Sequence, residues 1–426
     1  MDECRDHEAI AALVERNYRW NFMANFMDLA LFWFGNSFIS GVTILPLFVE
    51  RASGSRLLVG VVAALSQAGW YLPQLLTANY VERQPRRKPI AVKVGLFSER
   101  LPLWFLALSA FLLVPSQPGP ALALFFLAYT WHVLGAGAIA PAWQDMVARV
   151  IPADRRGRFF GLASFAGSAL GAAGAVLSAS LLARYPFPRG FAWCFLIGAT
   201  CIQASWCFLA LVREPPISTA KEPIPQRAYF RALPAILRRD RNFRAFLGSR
   251  VATGLGRMAT GFVTVYAVAR WGLPDSVAGT FTMTLLLSQM AAYLLLGFVA
   301  DRQGHKVVLE WGALVLAVAM VLSLGAPLPT WFYLVFVALG VSSAADILSS
   351  LMIVLEFTGP QDRPTYVGLA NTTSGVFTAL GPLLGGAIAS LWGYPLLFVV
   401  ALAMALLALG ILRFLVREPR EMNPPV

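Results

Sequence analysis

The sequence predicts an all-α polytopic membrane protein, with twelve transmembrane helices in two pseudo-symmetric six-helix bundles. Three observations lead there: the composition, the number of long apolar stretches, and short sequences that recur in both halves. Hydrophobic residues make up 58% of the 426 residues and charged residues 13%, against about 45–50% and about 25% in soluble domains. A helix needs about 20 apolar residues to cross a bilayer core of about 30 Å, and it satisfies its own backbone hydrogen bonds there.

Twelve stretches have the required length and apolar character. Glycine and proline are frequent within them, which suits close packing of membrane helices. The predicted spans are 22–48, 57–80, 91–114, 121–148, 159–183, 190–212, 244–270, 276–300, 306–326, 330–355, 365–391 and 394–416.

Three short sequences occur once in each half and indicate a duplication. Leu211-Val-Arg-Glu-Pro215 recurs as Leu415-Val-Arg-Glu-Pro419, and Arg16-Asn17-Tyr18-Arg19 recurs as Arg241-Asn242-Phe243-Arg244. The third pair is Pro152-Ala-Asp154-Arg155 and Pro360-Gln-Asp362-Arg363. We therefore predict an N-terminal six-helix bundle at 1–212, a cytoplasmic linker with an interfacial segment at 213–243, and a C-terminal six-helix bundle at 244–426. Paired halves are typical of secondary transporters.

The charge distribution predicts the orientation in the membrane. The net charge is +12, and with both termini in the cytoplasm most of the Lys and Arg residues fall in cytoplasmic loops. Only five fall outside: Arg51, Arg56, Arg184, Arg189 and Arg270. This bias predicts a multi-pass protein of a bacterial-type plasma (inner) membrane. Anionic lipid explains the basic balance, and a nucleic-acid partner is not expected because the charge is spread over many short loops.

The sequence does not favour an enzyme, a metal or a cofactor. The N-terminus lacks an apolar stretch before Phe22 and so does not resemble a signal peptide. None of the four cysteines has zinc-site spacing, and no phosphate loop ending in Gly-Lys-Ser/Thr is present. The cysteines are Cys4, Cys194, Cys201 and Cys207, and the widely separated histidines are His7, His132 and His305.

The turn between the eighth and ninth spans reads Gly297-Phe-Val-Ala-Asp301-Arg302-Gln-Gly304-His305-Lys306. It resembles the signature turn of the major facilitator superfamily. The first-half counterpart, from Asn79 to Lys88, keeps an acid-base core but lacks the glycines. The resemblance implies a monomer that works by alternating access, with spans one, four, seven and ten lining the cavity. It also implies gating residues, namely Glu82, Arg83, Arg86, Asp301, Arg302, Gly304 and Lys306. The alternative is a tight turn that only sets topology.

Ionisable residues inside the spans are the candidate pathway residues, because they are costly in a bilayer and often mark transport paths. The deepest lie on the spans that the resemblance assigns to the cavity: Asp28, His132, Arg250, Arg257 and Asp346. Asn36, Trp33 and Trp131 join them as polar and aromatic candidates. Three further ionisable residues, on spans three and nine, are interpreted as structural: Glu99, Arg100 and Glu310.

Each of these residues has a structural alternative. Asp28 is either a proton carrier or a charge neutralised by Arg250 or Arg257. His132 is either a proton relay or a neutral side chain hydrogen-bonded to a neighbouring helix. The two arginines either bind an anionic group of the substrate or balance Asp28 and Asp346.

Two motifs resemble those of drug–proton antiporters. The fifth span holds an incomplete glycine motif, and the eleventh span holds a fuller form: Gly167, Gly171 and Gly174, then Gly381, Pro382, Gly385 and Gly386. In the fourth span, Trp131-x2-Leu134-Gly135-x-Gly137-Ala138 has Trp131 where that family has Arg, which departs from a standard proton-antiport mechanism.

Taken together, these features predict a secondary active transporter that moves a small organic solute by alternating access. Proton-coupled efflux of an amphipathic compound is the favoured form. The alternatives are uptake of a sugar or other metabolite, and a non-transporting sensor or assembly partner with a transporter fold. The expected partners are a small-molecule substrate, protons and membrane lipid.

Overall fold

The structure is a computed structural model that describes residues 2–82, 84–113, 117–152, 155–215, 237–357 and 363–419. Within these ranges every regular element is helical, which confirms the predicted all-α class. Among the described residues, eleven helical segments are long and apolar enough to cross a membrane. The second predicted span is a further helix of 27 residues, Arg56–Glu82. A helix or a series of helical segments therefore lies in each of the twelve predicted spans.

The first six spans have the following bounds. The first comprises Asp2–Asn36, a 3₁₀ turn at Ser37–Ile39 and Ile44–Ser53, and the second is Arg56–Glu82. The third comprises Ile90–Val94, Leu96–Arg100, Leu101–Leu108 and Ser109–Leu113. The fourth, fifth and sixth are Pro118–Val150, Arg156–Arg184 and Arg189–Ala210.

The last six spans follow the same order. The seventh comprises Arg241–Gly256, a 3₁₀ segment at Arg257–Phe262 and Val263–Trp271. The eighth to twelfth are Val277–Gln303, His305–Gly325, Trp331–Glu356, Arg363–Trp392 and Tyr394–Phe414.

The third span is irregular, because three of its segments are wound as π-helix: Ile90–Val94, Leu96–Arg100 and Ser109–Leu113. Such turns are rare in proteins and often occur at functional sites. Glu99 and Arg100 occupy the end of the second π-helical segment, and both are buried. The irregular winding is therefore associated with the ionic pair of this span.

The compact units differ from the predicted halves. One unit comprises Met1–Ile39 and Gly69–Pro223, and the other comprises Ser40–Ala68 and Ile224–Val426. Residues 40–68 are thus part of the second compact unit, and the predicted bundles at 1–212 and 244–426 stay a prediction. Most of the predicted linker at 213–243 lies outside the described residues, since 216–236 are not described.

Specific contacts explain why residues 40–68 belong to the second unit. Arg51 forms a salt bridge of 2.7 Å with Asp275, and the Thr43 and Thr282 hydroxyls share a hydrogen bond. The Arg56 guanidinium donates to the Ala389 carbonyl at 2.7 Å. A sequence repeat reports ancestry rather than contacts, so it could not reveal this packing.

The same hydrogen-bonded clasp occurs in each unit. In the first unit the Asn21 side chain donates to the Arg213 carbonyl at 3.0 Å, and the Arg213 N–H donates to the Asn21 Oδ1 at 2.8 Å. In the second unit Asn242 and Arg417 exchange equivalent bonds of 3.1 and 2.8 Å. The recurring Leu-Val-Arg-Glu-Pro sequence therefore secures the end of the sixth and twelfth spans.

The asparagine of the clasp lies within the recurring Arg-Asn-Tyr/Phe-Arg sequence only in the second unit. The sequence comparison aligned Asn242 with Asn17, but Asn21 makes the equivalent pair of bonds. Positions 17 and 21 lie about one helical turn apart and on nearly the same face. The asparagine that makes the clasp in the first unit therefore lies one helical turn after the residue that matches Asn242 in sequence.

The two glycine motifs perform the same packing task in each unit. A Cβ atom on Gly167 would meet the Trp33 ring, so the fifth span lies closely against the first. A Cβ on Gly381 would lie 2.9 Å from the Gly254 carbonyl oxygen, and one on Gly385 would lie 2.8 Å from the Met258 carbonyl oxygen. The eleventh span therefore lies equally closely against the seventh. Small side chains permit this approach.

The signature turn also depends on one glycine. Gly304 ends the eighth span with φ +88°, a conformation that side chains disfavour. A Cβ there would also lie 2.5–2.9 Å from the Glu418 carboxylate atoms. Glu418 belongs to the second copy of the Leu-Val-Arg-Glu-Pro sequence, so the turn and the end of the chain's last span meet at this glycine.

We predict that Gly304→Ala lowers the free energy of unfolding by more than about 1 kcal/mol, because alanine is strained at this φ and the Glu418 side chain would have to move. Thermal unfolding of the purified protein in detergent measures the change. The matched control is Gly297→Ala in the same motif, where a Cβ meets nothing within 4 Å. Equal unfolding temperatures for the two variants would contradict the structural role of Gly304.

Candidate functional site

The first unit contains a buried ionic cluster centred on Asp28. This side chain lies on the helix of the first span and is 3% exposed. Its neighbours are the Arg100 guanidinium, the Ser205 hydroxyl and the Trp143 indole. Its Oδ1 is buried and makes no hydrogen bond to a described residue. The carboxyl is therefore only partly compensated.

Arg100 is shared between two carboxylates. It is buried beside Asp28, and it also forms an ion pair with its chain neighbour Glu99, which is buried as well. Two carboxylates and one guanidinium sum to one negative charge when all three groups are ionised. Because an unbalanced charge is costly inside a membrane, one added proton would bring the cluster to neutrality.

His132 completes the cluster from the fourth span. Its Nδ1 lies 2.6 Å from the Glu99 carbonyl oxygen, and since a carbonyl can only accept, Nδ1 carries the proton. The buried imidazole also lies in the electrostatic field of Arg100. This geometry agrees with the alternative in which His132 is held by a neighbouring helix.

The aromatic and polar candidates of the first unit are less buried. Trp131 is exposed and stacks on Phe105, with ring centroids 6.5 Å apart. Trp33 is also exposed, beside Gly167, and Asn36 is half-buried. Trp33 and Asn36 thus lie on the first span and Trp131 lies on the fourth.

The second unit contains an ionic cluster with a net positive charge. Asp346 on the tenth span forms an ion pair with the Arg250 Nη1, and its Oδ2 lies 3.5 Å from the Arg250 Nη2. The Arg257 Nη1 lies 3.6 Å from the same Oδ2. Two guanidiniums and one carboxylate sum to one positive charge. Asp346 is therefore fully compensated as an anion and needs no proton.

Further bonds anchor the two arginines. The Arg250 Nε donates to the Ser374 hydroxyl at 3.2 Å, and the Arg257 Nη2 donates to the Ser342 carbonyl at 2.9 Å. The Arg257 Nε is buried and makes no hydrogen bond to a described residue. A cavity of about 10 Å³ borders both arginines and Asp346, which is room for about one water.

These pairings revise two expectations. The sequence left open that Arg250 or Arg257 neutralises Asp28, but the structure pairs both arginines with Asp346 and places Arg100 beside Asp28. Arg100 was interpreted as structural, and the sequence analysis did not anticipate that it lies beside Asp28. The available signal was the high cost of an arginine in an apolar span, which requires a nearby carboxylate.

Glu310 has the structural environment that the sequence suggested. Its carboxylate lies 3.4 Å from both the Lys306 amine and the Arg413 guanidinium. Lys306, a residue of the signature turn, is therefore engaged in this network. Asp301, Arg302 and Arg86 of the two turns are exposed. The Glu82 side chain and Arg83 lie outside the described part of the chain, so their gating role stays a prediction.

The second antiporter-like motif supplies packing contacts. A Cβ on Gly135 would collide with the Ser98 backbone of the third span, and one on Gly137 would collide with the Gly69 carbonyl of the second span. The glycines therefore let the fourth span approach its two neighbours closely. The ionisable residue that follows Trp131 is the buried His132.

Comparisons with known proteins place this fold. The crystal structure of a D-xylose–proton symporter superposes with a TM-score of 0.71, covering 95% of this chain and 99% of that chain at 15% identity. At this identity the likeness shows the fold. The family model of the Major Facilitator Superfamily matches residues 246–426. The matched residues are the C-terminal part of the chain, from the seventh span onward.

Two curated relatives are also similar in sequence. An uncharacterized MFS-type transporter of Mycobacterium tuberculosis is 28% identical over 318 residues, which is 60% of this chain and 52% of that protein. The methylenomycin A resistance protein of Streptomyces coelicolor is 28% identical over 167 residues, or 38% of this chain and 35% of that protein. The match thus spans about half of the first superfamily relative and about a third of the second.

The charge balance of the second cluster yields a test. We predict that Asp346→Asn destabilises the protein by about 3 kcal/mol, because it leaves the buried Arg250 guanidinium and the partly buried Arg257 guanidinium without a carboxylate. The double variant Arg250→Gln/Asp346→Asn should lose less than the sum of the two single variants, since it removes one of those charges. Unfolding in detergent measures all three. Strict additivity would show that the pair is not coupled.

Proposed function

We propose that this protein is a proton-coupled secondary transporter, which moves a small organic solute by alternating access and uses Asp28 as its proton carrier. The match of the Major Facilitator Superfamily model to residues 246–426 and the fold shared with a D-xylose–proton symporter support the transporter class. The observation that carries the coupling proposal is the half-compensated Asp28 carboxyl, which is buried beside one arginine that is shared with Glu99.

The net charge of each ionic cluster determines its proposed role in proton coupling. In the first unit, two carboxylates compete for the single Arg100. When Asp28 binds a proton, Arg100 is left to Glu99. When Asp28 releases it, the carboxylate draws on Arg100 instead. In the second unit, Asp346 has two arginines and stays ionised through the cycle. Each state of Asp28 thus has a different set of ionic contacts, which is what a coupled conformational change requires.

Export of an amphipathic compound is the proposed direction. The similarity to a protein named for methylenomycin A resistance supports it, and so does the resemblance of both glycine motifs to those of drug–proton antiporters. In the fourth span, Trp131 stands where drug–proton antiporters have an arginine. In the proposed mechanism Asp28, with Arg100 beside it, supplies the titrating centre instead.

Flux measurement in proteoliposomes tests the function. Purified protein is reconstituted, a pH gradient is imposed, and movement of a panel of amphipathic cations, neutral sugars and metabolites is followed. Gradient-driven movement of an amphipathic compound away from the cytoplasmic face is the expected result. Movement only of sugars or metabolites inward would replace export by uptake. No movement of any solute would favour a non-transporting sensor.

We predict that Asp28→Asn abolishes gradient-driven flux while leaving the unfolding temperature within a few degrees of the parent, because the amide cannot exchange a proton. Exchange of labelled for unlabelled solute without a gradient should persist. The matched control is Glu310→Gln, which also removes a buried carboxylate but should retain coupled flux. Undiminished gradient-driven flux in Asp28→Asn would remove Asp28 from the coupling mechanism.

The signature turn generates a second functional prediction. Asp301→Asn should shift the balance between inward- and outward-open states, because an acid at a helix end can pair with a neighbouring helix terminus or arginine in one state only. Thiol labelling of a cysteine placed at Asn36 in a cysteine-free background reports the populations. Asp301→Glu keeps the charge and serves as control. Identical labelling of all three proteins would contradict a gating role.

A further inference from the structure

A basic groove lies in the first unit, where the third span begins and the sixth span ends. Its volume is about 460 Å³. Four cationic side chains line it, together with one carboxylate: Arg86, Lys88, Lys93, Arg213 and Glu214. The predicted orientation places both span ends at the cytoplasmic surface. Neither proposed transport cluster includes this groove.

The single carboxylate of the groove is already engaged. Glu214 accepts hydrogen bonds from two successive backbone amides, at 2.8 Å from the Arg87 N–H and 2.7 Å from the Lys88 N–H. It therefore holds the turn that opens the third span. The charges of the lining residues sum to three positive, and burial together with the nearby Arg86 lowers the pKa of Lys88 against the opposing effect of Glu214. An added anion would relieve this repulsion.

The remaining cations are available at the groove surface. Arg86 and Lys93 are exposed and form no salt bridge with any described residue. Arg213 is exposed too, lies over the Trp20 ring at 4.6 Å, and donates to the Asn17 Oδ1 at 3.3 Å. Tryptophan prefers the depth of lipid headgroups, which is the level at which a basic groove would meet the membrane surface.

The groove has an apolar side that continues along the third span. Val92 and Leu211 line it among the cations. Beyond Lys93, the exposed side chains of Val94 and Phe97 extend toward the middle of the span, and Phe97 is 62% exposed. A ligand with an anionic head and an apolar tail would match both surfaces, whereas a small inorganic anion would use only one.

We propose that this groove is a binding site for the headgroup of an anionic phospholipid of the cytoplasmic leaflet, with an acyl chain lying along Val94 and Phe97. The negative surface potential of anionic lipid attracts basic segments at this surface. The chain's own neighbouring segment is a poor occupant by charge, since residues 216–236 carry Lys221, Arg227 and Arg231 against one carboxylate, Glu222.

Native mass spectrometry of the full-length protein tests the site. The protein is released from detergent micelles that contain phosphatidylglycerol or phosphatidylcholine, and the bound lipid is counted. The parent should retain phosphatidylglycerol in preference to phosphatidylcholine. The triple variant Arg86→Gln/Lys93→Gln/Arg213→Gln should weaken that binding at least tenfold. The matched control neutralises three exposed arginines at the start of the seventh span, Arg238, Arg239 and Arg241, and should bind as the parent does.

A single variant and a titration with inorganic phosphate complete the test of the lipid site. If the triple variant does not fold, Lys93→Gln alone should still weaken phosphatidylglycerol binding measurably. Titration with inorganic phosphate should show no saturable effect on thermal stability, and a saturable effect equal to that of the lipid would replace the lipid site by a soluble-anion site. Equal lipid retention by the parent, the triple variant and the control would overturn the proposal.

Discussion

The structure depends on one constraint: an ionised side chain buried in membrane-spanning helices needs an opposite charge within its own helical unit. The deepest charges among the described residues obey it. Asp346 is held by Arg250 and Arg257, Glu310 by Lys306 and Arg413, and Arg100 by Glu99 with Asp28 nearby. The net charge differs between the clusters, however. The Asp346 cluster has an excess of arginine and is a structural ion pair, whereas the Asp28 cluster has an excess of carboxylate and would be neutralised by a proton.

The two units repeat the contacts that hold their helices together, but they do not repeat their ionic clusters. Asn21 and Asn242 clasp equivalent arginines, and both glycine motifs bring neighbouring spans together. The ionic clusters do not follow this repetition, because Asp28 and Arg100 draw on the first and third spans, whereas Asp346 and Arg250 draw on the tenth and seventh. The two units thus share scaffolding contacts and differ in their ionic clusters.

Hydropathy predicted the twelve spans well, because the length of an apolar stretch and the thickness of a bilayer are tied directly. The sequence also selected Asp28, His132, Arg250, Arg257 and Asp346, because the cost of burial makes each conspicuous. It could not pair them. Which carboxylate meets which arginine depends on helix rotation and on the π-helical winding at Leu96–Arg100, and neither leaves a mark on composition or spacing. The packing of residues 40–68 in the second unit was hidden for the same reason.

Infrared difference spectroscopy across a pH titration tests the central claim most directly, since the C=O stretch of a protonated carboxyl reports which group binds the proton. A titrating band that is lost in Asp28→Asn and retained in Glu310→Gln is the predicted result. A titrating band that survives in Asp28→Asn would contradict the claim that the negatively balanced cluster, and not its positively balanced counterpart, is where this protein exchanges protons.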